Sequence, residues 1–102
     1  MSKYSEDSDS NVLFKDELKE PRKYKVLLHN DDYTSMEFVI AVLVQVFRKT
    51  EEESTDIMLK VHNDGFGICG IYTAEVAETR VEMVRQLATQ AGFPLKCSIE
   101  EV

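Results

Sequence analysis

A chain of 102 residues with 43% apolar content builds one domain around a single modest core, which excludes a large multi-layer enzyme. Its net charge of −7 argues against a nucleic-acid binder, which needs a basic face to meet phosphates, and is compatible with a ligand or partner of positive charge. No apolar run approaches the ~18–20 residues that span a bilayer, and the N-terminus carries no signal-peptide pattern, so a cytoplasmic location is expected.

The first 20 residues, MSKYSEDSDSNVLFKDELKE, carry six acids against three bases, with Val12, Leu13, Phe14 and Leu18 as the only apolar cluster. They are expected to form a flexible acidic extension, residues 1–20, ahead of a core domain at 21–102. Tyr24–Leu28 (YKVLL) is a short β-type run, followed by HNDDY. Thr34-Ser35-Met36-Glu37 matches a capping box, with Thr34 as the cap and Glu37 reaching back to it. Met36, Val39, Ile40, Leu43, Val46 and Phe47 then recur at helical spacing.

Thr50-Glu51-Glu52-Glu53 repeats the capping logic, and a second helix carries Ile57, Met58 and Val61 as far as the stop signal Asn63-Asp64-Gly65. FGICGIYT (Phe66–Thr73) reads as a strand in which Gly67 and Gly70 mark close backbone approach. Thr73 is placed to cap a third helix, Ala74 to about Ala91, with Val76, Val84, Leu87, Ala88 and Ala91 along one face. Gly92-Phe93-Pro94 ends it, and Leu95–Glu100 (LKCSIE) is the last strand. The order β-α-α-β-α-β, without repeats, predicts an α+β domain of two layers: a three-stranded sheet with three helices on one face.

Catalysis is not expected. The chain has no G-x-S-x-G, no Gly-rich phosphate loop and no H-E-x-x-H. Cys69 and Cys97 lie in apolar stretches and fit no zinc or redox spacing, so they read as buried thiols of a reducing compartment. The stretch His29-Asn30-Asp31-Asp32 leaves three readings open. It makes a tight turn, since Asn and Asp bond their own backbone. Alternatively His29, Asp31, Asp32 and His62 ligate a metal, although their spacing matches no common site. The third reading is a cationic α-amine, whose three N–H donors call for three convergent acceptors. The Asn30 side-chain oxygen, the Asp31 carboxylate and a ring nitrogen of His62 meet that demand. Met36, Val39, Met58, Val61 and Leu95 would then wall a pocket for the neighbouring side chain, or else serve as ordinary core.

YKVLLHNDDYTSMEFV, MLKVH (Met58–His62), ICGIYTAEVAETRVEMV (Ile68–Val84) and PLKCSIE (Pro94–Glu100) together closely resemble the ClpS family, over about Pro21–Glu100 and in unbroken order. The resemblance implies a fold shared with the C-terminal domain of ribosomal protein L7/L12. It implies a non-enzymatic adaptor, without cofactor, metal, nucleic acid or membrane. Such an adaptor binds proteins whose N-terminal residue is Leu, Phe, Tyr or Trp and delivers them to the Clp ATPase, typically ClpA, for degradation by ClpP. It assigns Asn30, Asp31 and His62 to the substrate amine, with Asp32 acting through water or on its neighbours. It places Thr34 with Met36, Val39, Met58, Val61 and Leu95 around the side-chain pocket, Met36 as its gate. Glu75, Thr79 and Arg80 become contacts to the N-terminal domain of the ATPase, and Met1–Glu20 a segment that engages the ATPase during hand-off. Ser35 stands where many members have Pro, and Ala41 and Lys60 are also departures. A metal-binding or ribosome-associated module of the same fold is the alternative.

Overall fold

The computed structural model describes residues 21–102; the acidic extension expected at 1–20 lies outside them. The chain runs β1 (Lys23–His29), α1 (Met36–Gln45), α2 (Glu51–Asp64), β2 (Phe66–Thr73), α3 (Ala74–Ala91) and β3 (Lys96–Glu101). This is the predicted order. The strands form one antiparallel sheet in the order β2-β1-β3, so the first strand of the domain lies at its centre.

Alternation along β1 sorts its side chains. Val26 and Leu28 join the core, together with Val39, Val42, Leu43, Val46 and Phe47 of the first helical segment, Met58 and Val61 of α2, Ala77, Val84 and Ala88 of α3, and Leu95. Leu27, between Val26 and Leu28 and paired with Ile68 and Ser98, belongs to the opposite face. Between Val26 and Leu27 the register against β2 slips by one: Val26 opposes Gly70 and Leu27 opposes Ile68, leaving Cys69 as the extra residue of a bulge. Cys69 is buried, and burial pushes its thiol up out of the reactive range; Cys97 is half-buried and pushed up to about 12 by the same cause.

The helix ends correct two local expectations. At α1 the cap is Ser35, not Thr34: Ser35 Oγ accepts from Phe38 N–H at 3.1 Å. Counted from Ser35 the third helical residue is Phe38, which has no group to return the bond, so Glu37 closes no capping box there. At α2 the box is complete, with Glu53 N–H donating to Thr50 Oγ1 at 3.0 Å and Thr50 N–H donating to Glu53 Oε1 at 2.9 Å. Asn63 and Asp64 belong to the last turn of α2, and Gly65 ends it in the left-handed region at φ +93. On α3 the buried residues are Ala77, Val84 and Ala88, with Val81 and Leu87 partly buried; Val76 and Ala91, expected on this face, are exposed.

Close packing of α2 on β2 explains Gly67. A Cβ there would lie 2.8 Å from Val61 Cγ2 and 3.2 Å from the Ile57 carbonyl oxygen, so only glycine admits the helix at this distance. Phe38 and Phe93, with ring centroids 4.9 Å apart, tie the start of α1 to the segment after α3, which leads into Leu95. Among the described residues no helix is long and apolar enough to cross a membrane.

Candidate functional site

The site is assembled where β1 ends. Asn30 N–H donates to the Gly65 carbonyl at 2.9 Å. His62 lies on the last turn of α2, three residues before Gly65, so one backbone bond joins the turn bearing Asn30 to the helix end bearing His62. Asn30, Asp32 and His62 are all exposed. Their proximity in the fold is invisible in the chain, where Asn30 and His62 are far apart.

Asp31 behaves differently from its neighbours. Its Oδ1 accepts from Tyr33 N–H at 2.8 Å and from Thr34 N–H at 2.7 Å, and its Oδ2 accepts from the Thr34 hydroxyl at 2.8 Å. Partial burial pushes this carboxyl up, but the bonds from the Thr34 amide, the Thr34 hydroxyl and the Tyr33 amide outweigh it and hold the group below the ordinary carboxylate value. Turn closure is therefore shown for Asp31. Thr34, whose hydroxyl is spent on Asp31, is the last residue of this turn, and Ser35 is free to cap α1.

His29 Nε2 lies 2.6 Å from Ser98 Oγ, across the sheet on β3, and no three His, Cys, Asp or Glu side chains cluster as a ligand set among the described residues.

Val39, Met58, Val61 and Leu95, proposed from sequence as pocket walls, lie together in the core and are each at most 7% exposed. Met36, the first residue of α1, is 45% exposed. The four thus belong to one buried core, and Met36 stands outside it. Leu95 also borders a cavity between α3 and β3, with Val81, Arg85, Pro94, Lys96 and Cys97.

On the first half of α3, Glu75 and Thr79 are exposed and line a shallow depression with Val76 and Arg80. Arg80 has a second engagement that helical spacing does not reveal. Its Nη1 donates to the Val46 carbonyl at 2.8 Å, and its guanidinium carbon lies 5.8 Å from the Tyr72 ring centroid. Val46 is the residue that terminates α1, so Arg80 satisfies one of the carbonyls a helix end leaves open.

The family model described as ATP-dependent Clp protease adaptor protein ClpS matches residues 19–98. Among similar curated proteins, the ATP-dependent Clp protease adapter protein ClpS of Oleidesulfovibrio alaskensis is 61% identical over 100 residues, covering 98% of this chain and 96% of that protein. Its counterpart in Desulfotalea psychrophila is 52% identical over 101 residues, covering 99% of both. Among solved structures, Agrobacterium tumefaciens ClpS2 bound to L-phenylalaninamide superposes with a TM-score of 0.79 at 38% identity, over 81% of this chain and all of the other.

Proposed function

Because the chain belongs to the ClpS family of non-catalytic Clp protease adaptors, we propose that it selects proteins by a free α-amine beside a bulky N-terminal side chain, Leu, Phe, Tyr or Trp, and delivers them to a ClpA-type ATPase. The observation that carries this reading is the Asn30–Gly65 bond, which sets Asn30, Asp31 and Asp32 beside the end of α2 where His62 stands. An α-amine is mostly cationic at neutral pH and carries three N–H donors. Asn30 Oδ1 and an unprotonated ring nitrogen of His62 accept from it, and the carboxylates of Asp31 and Asp32 make the site negative.

The side chain next to that amine enters among Met36, Val39, Met58, Val61 and Leu95. Val39, Met58, Val61 and Leu95 belong to one buried cluster while Met36 is exposed, so entry requires Met58 to swing aside, which an unbranched thioether does at small cost. Thr34 lines the approach. The ligand of the Agrobacterium relative, an amino acid amide with a free amine and a benzyl group, is the chemistry such a site takes. Glu75, Thr79 and Arg80 dock on the N-terminal domain of the ATPase, and residues 1–20 reach it during hand-off. The adaptor works in the cytoplasm.

The test is a pair of fluorescein-labelled peptides that begin with Phe, one with a free N-terminus and one acetylated, compared by fluorescence anisotropy. Acetylation removes the charge and two of the donors, so acceptors that the bound peptide covers lose their partners and affinity should fall by about 100-fold or more. Equal affinity for the two peptides would sink the amine reading.

A further inference from the structure

We propose that the cavity between α3 and β3 is a second binding site, one that takes a small monocarboxylate with an apolar tail. The cavity measures about 410 Å³, within the roughly 300–1,000 Å³ of small-molecule sites. It is lined by Val81, Arg85, Pro94, Leu95, Lys96 and Cys97. Leu95 alone is shared with the proposed side-chain pocket, and neither Asn30 nor His62 lines it, so the proposal stands apart from the amine reading.

Its lining divides by polarity, and the local structure explains how. Val81 and Arg85 are four residues apart on α3 and so share a face of that helix. On β3, Cys97 pairs with the core residue Leu28, and Lys96 pairs with His29 at the end of the strand. Leu95 is buried and Val81 and Cys97 are half-buried, which gives an apolar interior; Arg85, Pro94 and Lys96 are exposed and form the mouth. Burial pushes the Cys97 thiol up to about 12, so at neutral pH it stays protonated and sets no negative charge in that interior.

Charge at the mouth selects the head of the ligand. Arg85 Nε donates to Glu82 Oε1 at 3.0 Å and Arg85 Nη2 donates to Glu82 Oε2, so Glu82 neutralises this guanidinium and fixes its orientation. Nη1 takes no part in that pair and keeps its donors. Lys96 forms no ion pair among the described residues. Arg85, Glu82 and Lys96 together leave a single positive charge. One carboxylate balances it while accepting from Arg85 Nη1 and from the Lys96 ammonium. An amine of the same shape meets Lys96 as a like charge, and an alcohol leaves that charge unmatched.

The test uses the full chain and proton–nitrogen correlation NMR spectra, titrated with octanoate and with octanol and octylamine of the same tail length. Octanoate should shift the amides of Val81, Arg85, Lys96 and Cys97 saturably, with a Kd of about 1 mM or tighter. Octanol should bind about tenfold more weakly, and octylamine should leave these amides in place whatever it does at the amine site. Lys96→Gln, at an exposed position, should cost octanoate about tenfold and leave octanol unchanged. Val81→Phe, which fills the interior, should abolish binding of both. A saturable octanoate shift centred on Val39, Met58 and His62 would place the tail in the side-chain pocket and overturn the proposal, as would the absence of any saturable shift. Equal affinities for octanoate and octanol, or a Lys96→Gln variant that binds octanoate as the parent chain does, would overturn the monocarboxylate assignment.

Discussion

The amide of Asn30 donates to the carbonyl of Gly65 at 2.9 Å, which couples the end of the central strand to the end of α2. Gly65 accepts this bond in a left-handed conformation, φ +93, and its own amide donates back to Val61 at 3.0 Å. Everything proposed about amine recognition passes through this junction.

Gly65→Ala isolates the backbone cost of the junction. A Cβ at this position meets no atom within 4 Å, so the penalty is conformational and not steric. A loss of roughly 1–2 kcal/mol is expected in urea unfolding. The same variant should weaken binding of the free Phe peptide, since both Asn30 and His62 hang from this bond.

Gly67→Ala acts by a different route. Here the backbone is ordinary, but the new methyl would meet Val61 Cγ2 at 2.8 Å and the Ile57 carbonyl at 3.2 Å. A helix carbonyl cannot rotate away, so α2 must shift off the sheet, at about 1–3 kcal/mol. Val61 is a proposed pocket wall, so the preference among Leu, Phe, Tyr and Trp peptides should change along with the midpoint of unfolding.

At Ser35 the side-chain cap can be weighed against backbone stiffness. Ser35→Ala removes the bond to Phe38 N–H and should cost about 1 kcal/mol. Ser35 has φ −71, within the range of proline, so Ser35→Pro should destabilise less than Ser35→Ala, its lost cap being offset by a stiffer unfolded chain. Thermal melts of the three proteins at one pH decide this.

Acid unfolding should report on Asp31. Its folded-state value lies below the ordinary carboxylate value near 3.9, so its contribution is complete above that value and is lost as pH falls through the lower, folded one. The stability difference between the parent chain and Asp31→Asn should therefore be largest near pH 7 and shrink below about pH 4. Urea midpoints taken across this range check the sign; a gap that widens in acid would contradict it.

Arg80 and Glu75 share the proposed ATPase-docking face but should separate in stability. Arg80→Ala leaves the Val46 carbonyl without its charged donor and should cost about 1.5–3 kcal/mol. Glu75→Ala, on the exposed first turn of α3, should stay within about 0.5 kcal/mol. Both should reduce capture by the isolated N-terminal domain of a ClpA-type ATPase. Loss of capture in Arg80→Ala alone, together with a lowered melting temperature, would point to structural damage and remove that residue from the docking surface.

Local signals in the chain were sufficient for the elements. The capping box Thr50–Glu53, the stop at Gly65 and the glycine between α3 and β3 each act within a few residues, so they are legible without any tertiary contact. The misread cap at α1 has the same origin. Thr34 and Ser35 are both competent caps, and the choice between them depends on Asp31 taking the Thr34 hydroxyl, a competition the capping pattern does not encode. On α3 the expected face holds at Val84, Leu87 and Ala88, but Ala77 is buried where Val76 was expected, and Ala91, on the last turn, is exposed.

Residue types and their order thus determined by themselves the β-α-α-β-α-β sequence, the presence of an acid-rich turn after β1 and the family resemblance, since all of these are short-range or cumulative along the chain. Only the tertiary structure decided which of those acids belongs to the turn, that Gly65 brings the His62 helix end to Asn30, and that Arg80 closes the end of α1. The Asp31 bonds are local, but which of two adjacent acids makes them is set by the path of the chain; the other two are long-range hydrogen bonds, and the packing of α2 and α3 on the sheet brings their partners within reach.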